Sequence, residues 1–433
     1  MRFLDRWFPI LFTAPFLLAT IDFGPAKVVG EAGRWVILIL ATTAAAILGF
    51  QMGRGRTGGW AGADTVVVGF LAFFALSATW AIDPLYSIQR SLSMGLLYLA
   101  TFWYFWNWAD RHSDDRLLGC FLWTSGVVLG INLLLGAFFA PASLLASRFQ
   151  GAFDNPNNIG MIVALAVPLS FARMLKSQQW KDRGLWVIFV LNALACGSRT
   201  ALVCCVVCMT LIISLLAIRN MKIAIVTGAT LAAGLLVLSQ TDFFSTRILR
   251  GDSVETMSNR TLFWDLAKEQ YIPKRPVAGH GFGCDVIIHE NYGIILADLK
   301  LRGYGVMSSY YGLAVAVGIP ATVLFFTALW LGTVFLLFKY HFDITLVGYG
   351  ATVISGLMVS ITETAIYSAG NCFSYLFWIA FMLIIRRARY RKSKLPLTRH
   401  GELSQKSAKS RGRRKPGVPR QRLEEVIPAE HGL

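Results

Sequence analysis

The sequence predicts an all-α, polytopic integral membrane protein, and three observations carry that prediction. Apolar runs long enough to cross a hydrocarbon core recur along the chain. Only 15% of the 433 residues are charged, against about 25% in an ordinary soluble domain. Lys and Arg also recur in every second connection, as expected when basic loops stay on one side of a bilayer.

Apolar windows place spans at 7–23, 34–51, 60–80, 93–109, 117–139, 158–175, 184–198, 200–218, 222–239, 311–338, 343–361 and 371–386, about twelve in all. The first follows a basic start and has no small-residue cleavage site, so it reads as a span and not a removed signal. The seventh and eighth are short and close together, and read as two spans or one long feature. With both termini inside, the cytoplasmic loops contain Arg54 and Arg56, then Arg111 and Arg116, then Arg173, Lys176, Lys181 and Arg183, then Arg219 and Lys222, then Lys339. From Arg386 to the end, 15 Lys and Arg stand against 4 Asp and Glu, so most of the formal net charge of +17 sits in the tail. A basic excess beside a last span marks a cytoplasmic anchor. No nucleic-acid-binding motif accompanies it. The domain reading is therefore 1–388 in the membrane and a basic, disordered cytoplasmic tail over 389–433.

The remaining connections face outward, and the largest, near 240–310, is the only sizeable soluble piece. Within it, Arg260 to Lys268 carries apolar residues at helical spacing, with Ser258 or Asn259 as N-cap. Pro273, Pro276 and the following glycines end that helix. The seven cysteines lie mostly in apolar runs, and no pair has metal spacing with histidine partners. They read as core residues. No metal or cofactor is expected.

Basic residues are disfavoured in short outer loops, so Arg148, Arg199 and Arg260 need a reason. Arg199 lies between two apolar runs, where a charge is costly and points to function. Arginine holds phosphate oxygens in pairs, and a lipid-linked pyrophosphate presents its phosphates at this depth. The competing reading is that each Arg snorkels to anchor a span end. Asn155 and Asn157 flank Pro156 as a turn that caps the next span, or contact the sugar or phosphate.

At these positions the chain resembles the O-antigen ligase and polymerase superfamily. The stretch SRFQGAFDNPNNIG, residues 147–160, is similar to its Arg-x-x-Gly-x-Phe-x-Asn-Pro-Asn signature. The stretch CGSRTAL, from Cys196, is similar to its Ser-Arg element. Arg260 to Trp264, followed by Pro276 to Gly283, is similar to its Arg-x-x-x-Trp and Pro-x-x-Gly-x-Gly-x-Gly run. The resemblance covers about residues 1–388, and its motifs occur in order. It implies a metal-independent glycosyltransferase of the bacterial inner membrane with a periplasmic site. The donor would be an undecaprenyl-pyrophosphate-linked glycan, and the acceptor the lipid A–core oligosaccharide. The neighbouring alternatives are an O-antigen polymerase and, in a different class, a transporter of lipid-linked solutes.

The chain departs from the family at the base. A ligase typically carries a His followed by Asn, Ser or Gln shortly ahead of a Gly-Ile-Pro-like turn. Here Gly318-Ile319-Pro320 is present, but Met307-Ser308 stands at the pair. Of six histidines only His280 and His289 face outward. His280 falls in the glycine-rich turn, where it reads as a structural residue or a contact to the substrate. His289 is the expected base, with Glu290 and Glu363 as alternatives.

Overall fold

The computed structural model describes residues 2–51, 59–138, 144–145, 148–218, 221–222, 225–226, 228–229, 260–291 and 305–390. The helices are α1 (Arg2–Leu18), α2 (Gly24–Gln51), α3 (Gly62–Leu76), α4 (Pro84–Tyr98), α5 (Asp114–Phe138), α6 (Pro156–Ser177), α7 (Trp180–Cys196), α8 (Arg199–Ala217), α9 (Arg260–Leu266), α10 (Ser309–Val317), α11 (Ile319–Lys339) and α12 (Ile344–Val359). A further helix, α13, runs from residue 372 to 390. Residues Met1–Ala388 form one compact unit and Arg389–Leu433 another. Most of the ninth expected span, the stretch 240–259 with the caps Ser258 and Asn259, and the chain from 391 onward lie outside the described residues.

Six of the described helices are long and apolar enough to cross a membrane, beginning at Gly24, Gly62, Asp114, Pro156, Arg199 and Ile319. Their outer faces carry large exposed apolar side chains, among them Ile39, Leu134, Val323, Leu324 and Leu331. Water would not tolerate such a belt, and hydrocarbon would. The chain is thus a helical, membrane-embedded protein.

Several expected spans take a different form. The window 311–338 is two helices broken at Gly318, whose φ is +85°. A Cβ there would lie 2.0 Å from the Val277 carbonyl oxygen, so only glycine lets the 276–283 turn pack this close. Ile319 N–H then donates to Pro276 O at 2.8 Å. The windows 184–198 and 200–218 are separate helices, turned at Gly197 with φ +55°. Among the described residues one small sheet forms: β1 (Leu144–Leu145) pairs antiparallel with β2 (Arg148–Phe149).

The core centres on α6, which packs against α7, α8 and α12. Small residues allow the close approach: a Cβ at Gly348 would lie 2.5 Å from Ala172, and one at Gly356 would meet Phe377. Hydroxyls reach across as well, with Ser355 Oγ donating to Ala164 O at 2.5 Å. The C-terminal end of α6 lies in a set of ion pairs. Arg173 meets Asp182 at 2.9 Å and Lys176 meets Asp115 at 2.7 Å. Nearby, Arg386 bridges Asp110 and Asp114, and Arg387 holds Asp343, the N-cap of α12. The N-terminal end of α6 opens on a cleft.

Candidate active site

Asn155 caps α6. Its backbone is extended and its side chain accepts from Asn157 N–H at 2.8 Å. That cap turns Asn157 so that its Oδ1 accepts from an Nη2–H of Arg148 at 2.7 Å. Arg148 Nε–H donates in turn to Cys196 O, the last residue of α7, at 3.0 Å. The short hairpin thus delivers Arg148 to the point where α6 begins and α7 ends. Gly151, with φ +59°, allows the turn, and Asn132 Oδ1 accepts from Ala152 N–H beside it.

Arg199 opens α8, directly after the N-cap Ser198. Its neighbour Thr200 accepts a hydrogen bond from Thr362 at 3.1 Å, which ties this helix start to the 360–371 loop. Arg260 opens α9 and forms an ion pair with Glu363 in that same loop. Ser309 fixes the loop: its N–H and its hydroxyl both donate to Glu363 O, and its Oγ accepts from Ala365 N–H. Burial pushes the Glu363 carboxyl up, while the charges of Arg260 and Arg148 pull it back.

These elements surround a cleft of about 400 Å3 whose wall includes Asn155, Asn157, Arg260, Met307 and Glu363. The structure therefore brings together two residues of the hairpin motif's turn, Asn155 and Asn157, with Arg148 bonded to Asn157, and Arg260. Arg199 is not among the residues that line this cleft and lies at the start of α8. Met307 has φ +52° and its carbonyl accepts from Trp264 Nε1–H, while Ser308 caps α10. The place where the family resemblance puts a histidine therefore faces the cleft, but with a thioether that cannot take a proton.

The two histidines that the sequence reading places outward lie elsewhere. His289 is 3% exposed, its Nδ1 shares a hydrogen bond with the Tyr271 hydroxyl at 2.7 Å, and the rings of Phe263 and Tyr271 stand against it. Burial pushes its pKa down. It belongs to a small aromatic core and not to the cleft wall, so the expected role as base does not match this placement. His280 is also buried. Its Nε2 lies 3.0 Å from Tyr271 O, and its N–H donates to Val315 O, so it locks the glycine-rich turn onto α10. The side chain of Glu290 lies outside the described residues.

Three residues of this site escaped the sequence reading. Arg90, on α4, lines the cleft together with Asn155 and Asn157. The side-bias rule that singled out Arg148 in the sequence applies to Arg90 as well. Tyr367 also lines the cleft, and its hydroxyl donates to the buried Asp285. An acid in a glycine-rich run and a tyrosine in a loop carry no pattern that would link them. Among the described residues, no three His, Cys, Asp or Glu side chains are arranged to hold a metal ion.

No protein-family model matches the chain, and no curated protein matches it.

Proposed function

We propose that the chain is an O-antigen ligase-type glycosyltransferase. It moves a glycan from an undecaprenyl-pyrophosphate carrier to the lipid A–core acceptor, at the periplasmic face of the bacterial inner membrane, with both termini cytoplasmic and about twelve spans. The observation that carries the proposal is the shared electrostatic environment of Arg148, Arg260 and Glu363 at one end of the bundle, beside a polar cleft. Cations aimed where a pyrophosphate leaves would stabilise the charge that develops on it.

In this reading Arg148, Arg199 and Arg260 hold the pyrophosphate, and Asn155 and Asn157 orient Arg148 and the sugar. Glu363 is the counter-ion that keeps Arg260 in place before the donor arrives. The donor's chain lies in the surrounding hydrocarbon, and the acceptor approaches from the outer leaflet. The mixed burial of Arg260 and Glu363, 16% and 21% exposed, suits a pair that a phosphate can enter and displace.

A deletion strain tests the function. Loss of a ligase leaves polymeric glycan on its lipid carrier and a bare lipid A–core. Single repeats on the core would instead mark a polymerase. Purified protein joining donor to acceptor with no energy source would exclude transport.

A further inference from the structure

We propose that Tyr367 and Asp285 form the proton-accepting pair of the cleft, with Tyr367 facing the acceptor hydroxyl and Asp285 behind it. The proposal rests on the glycosyl-transfer reading above and supplies the base that reading lacks. Tyr367 lines the cleft, and its Oη–H donates to Asp285 Oδ2 at 2.8 Å. Asp285 is fully buried, and its second oxygen, Oδ1, has no hydrogen-bond partner among the described residues. A buried carboxyl oxygen left unpaired is costly and needs an explanation.

The surroundings are built to hold this pair closely. A Cβ at Gly312 would lie 2.0 Å from Tyr367 Oη and 2.9 Å from Asp285 Oδ2, so any side chain on that face of α10 would break the contact. A Cβ at Gly305 would come within 3.1 Å of the same carboxyl oxygen. The charged and titratable groups facing Asp285 are Tyr367 from the 360–371 loop, Arg90 and Tyr86 from α4, and Cys284 from its own turn. Burial dominates and pushes the Asp285 carboxyl up to about 6, with Tyr367 and Arg90 opposing. It is therefore ionised at neutral pH and basic enough to take a proton.

The other candidates are poorly placed. Glu363 is paired with Arg260 in the donor-free protein. His289 is enclosed by aromatic rings. Met307, on the wall, has no basic lone pair.

In the step itself, the acceptor oxygen forms a bond to the anomeric carbon of the donor. The bond from that carbon to the phosphate oxygen breaks, and the pyrophosphate leaves with the electron pair. The hydroxyl proton passes to Tyr367 Oη as the tyrosine's own proton passes to Asp285 Oδ2. Return of that proton to water through Tyr367 resets the pair. Tyr367 is thus the catalytic residue, and Asp285 acts through it.

The test uses full-length protein in lipid nanodiscs, with an undecaprenyl-pyrophosphate-linked glycan and a lipid A–core acceptor. Asp285→Asn keeps an acceptor for the tyrosine hydroxyl but cannot take its proton. Its kcat should fall at least about 100-fold, the lower range for loss of a general base, with both KM values within about threefold. Wild-type kcat should fall as pH drops through about 6, the Asp285 value, and Asp285→Asn should lack that limb. Tyr367→Phe should lose kcat similarly, and Asp285→Glu should recover part of it with a displaced limb. An Asp285→Asn protein that transfers within about threefold of wild type with the same acid limb overturns the pair. A wild type inactive on every lipid-pyrophosphate donor defeats the functional reading instead. The pair is then judged by infrared difference titration of wild type against Asp285→Asn. A carboxyl band titrating near 6 and displaced by Tyr367→Phe supports the pair. Absence of such a band overturns it.

Discussion

Arg260 and Glu363, 103 positions apart in the chain, meet side chain to side chain at the cleft wall. The pair is only partly exposed, so its attraction is screened less than at an open surface. A donor pyrophosphate competes with Glu363 for Arg260. Glu363→Gln removes that competitor, and the donor KM should fall about fivefold, which corresponds to roughly 1 kcal/mol. Initial-rate kinetics at saturating acceptor measure this. An unchanged or raised KM would remove the counter-ion role.

Arg199 begins α8 at the end of the bundle that holds the cleft, beside the Thr200–Thr362 contact. Arg199→Ala should lower transfer at least about 100-fold, the effect of losing one preorganised charge-stabilising group. The protein should still reach the membrane in normal amount. Near wild-type transfer by an inserted variant counts against the pyrophosphate clamp.

His289 sits among Phe263 and Tyr271 and should matter for stability more than for turnover. His289→Ala opens a cavity in that small core and should cost about 3 kcal/mol. His289→Gln, which can still meet the Tyr271 hydroxyl, should transfer within a few-fold of wild type with an unmoved pH profile. Loss of kcat in a stable Gln variant would return the histidine to the chemistry.

Asp285 gives a pH signature independent of activity. Its carboxyl is raised to about 6 by burial, from 3.8 in the unfolded chain. A raised carboxyl means that the fold favours the protonated form. Its stability contribution is full below about 3.8 and is lost as pH rises through about 6. At pH 7.5 the ionised group costs about 3 kcal/mol, at 1.36 kcal/mol per pKa unit. Asp285→Asn should therefore melt higher than wild type at pH 7.5, and the difference should vanish near pH 4. Equal melting temperatures at both pH values would contradict the raised carboxyl.

Arg386, 5% exposed, bridges Asp110 and Asp114 at the other end of the bundle. Arg386→Ala removes the cation that Asp110 and Asp114 share, leaving Asp114 only Arg387 at 3.9 Å, and should cost about 3 kcal/mol. Thermal unfolding in detergent reads this, and replacing both acids along with the arginine should recover much of it.

The helical, membrane-embedded class could be read directly, because apolar run length is a local property written along one dimension. The same holds for the Asn155 cap, since its partner Asn157 is two positions away. The anomaly of Arg148 and Arg260 was equally visible, because side bias depends only on which loop holds a charge. The rule applied to Arg148 also fits Arg90, which was passed over because it sits where a loop becomes a span.

Span form was less legible. The break at Gly318 depends on Val277, forty-one positions earlier, approaching where a Cβ would stand. Hydropathy alone sees only a continuous apolar window there. The histidines show the same limit. Outward topology made His289 the candidate base, but its burial follows from Phe263 and Tyr271 folding over it.

Composition and the order of apolar and basic segments settle that the chain is helical and enters a bilayer, because each span must satisfy its own backbone. They do not settle which polar groups share a cleft. Asp285 and Tyr367 are 82 positions apart, and Glu363 and Arg260 are 103 apart. Only packing of α9, α10 and the 360–371 loop against the start of α6 brings them together. Whether a carboxyl is an ordinary surface acid or a buried base depends on the dielectric and the partners around it, which exist only once the chain has folded.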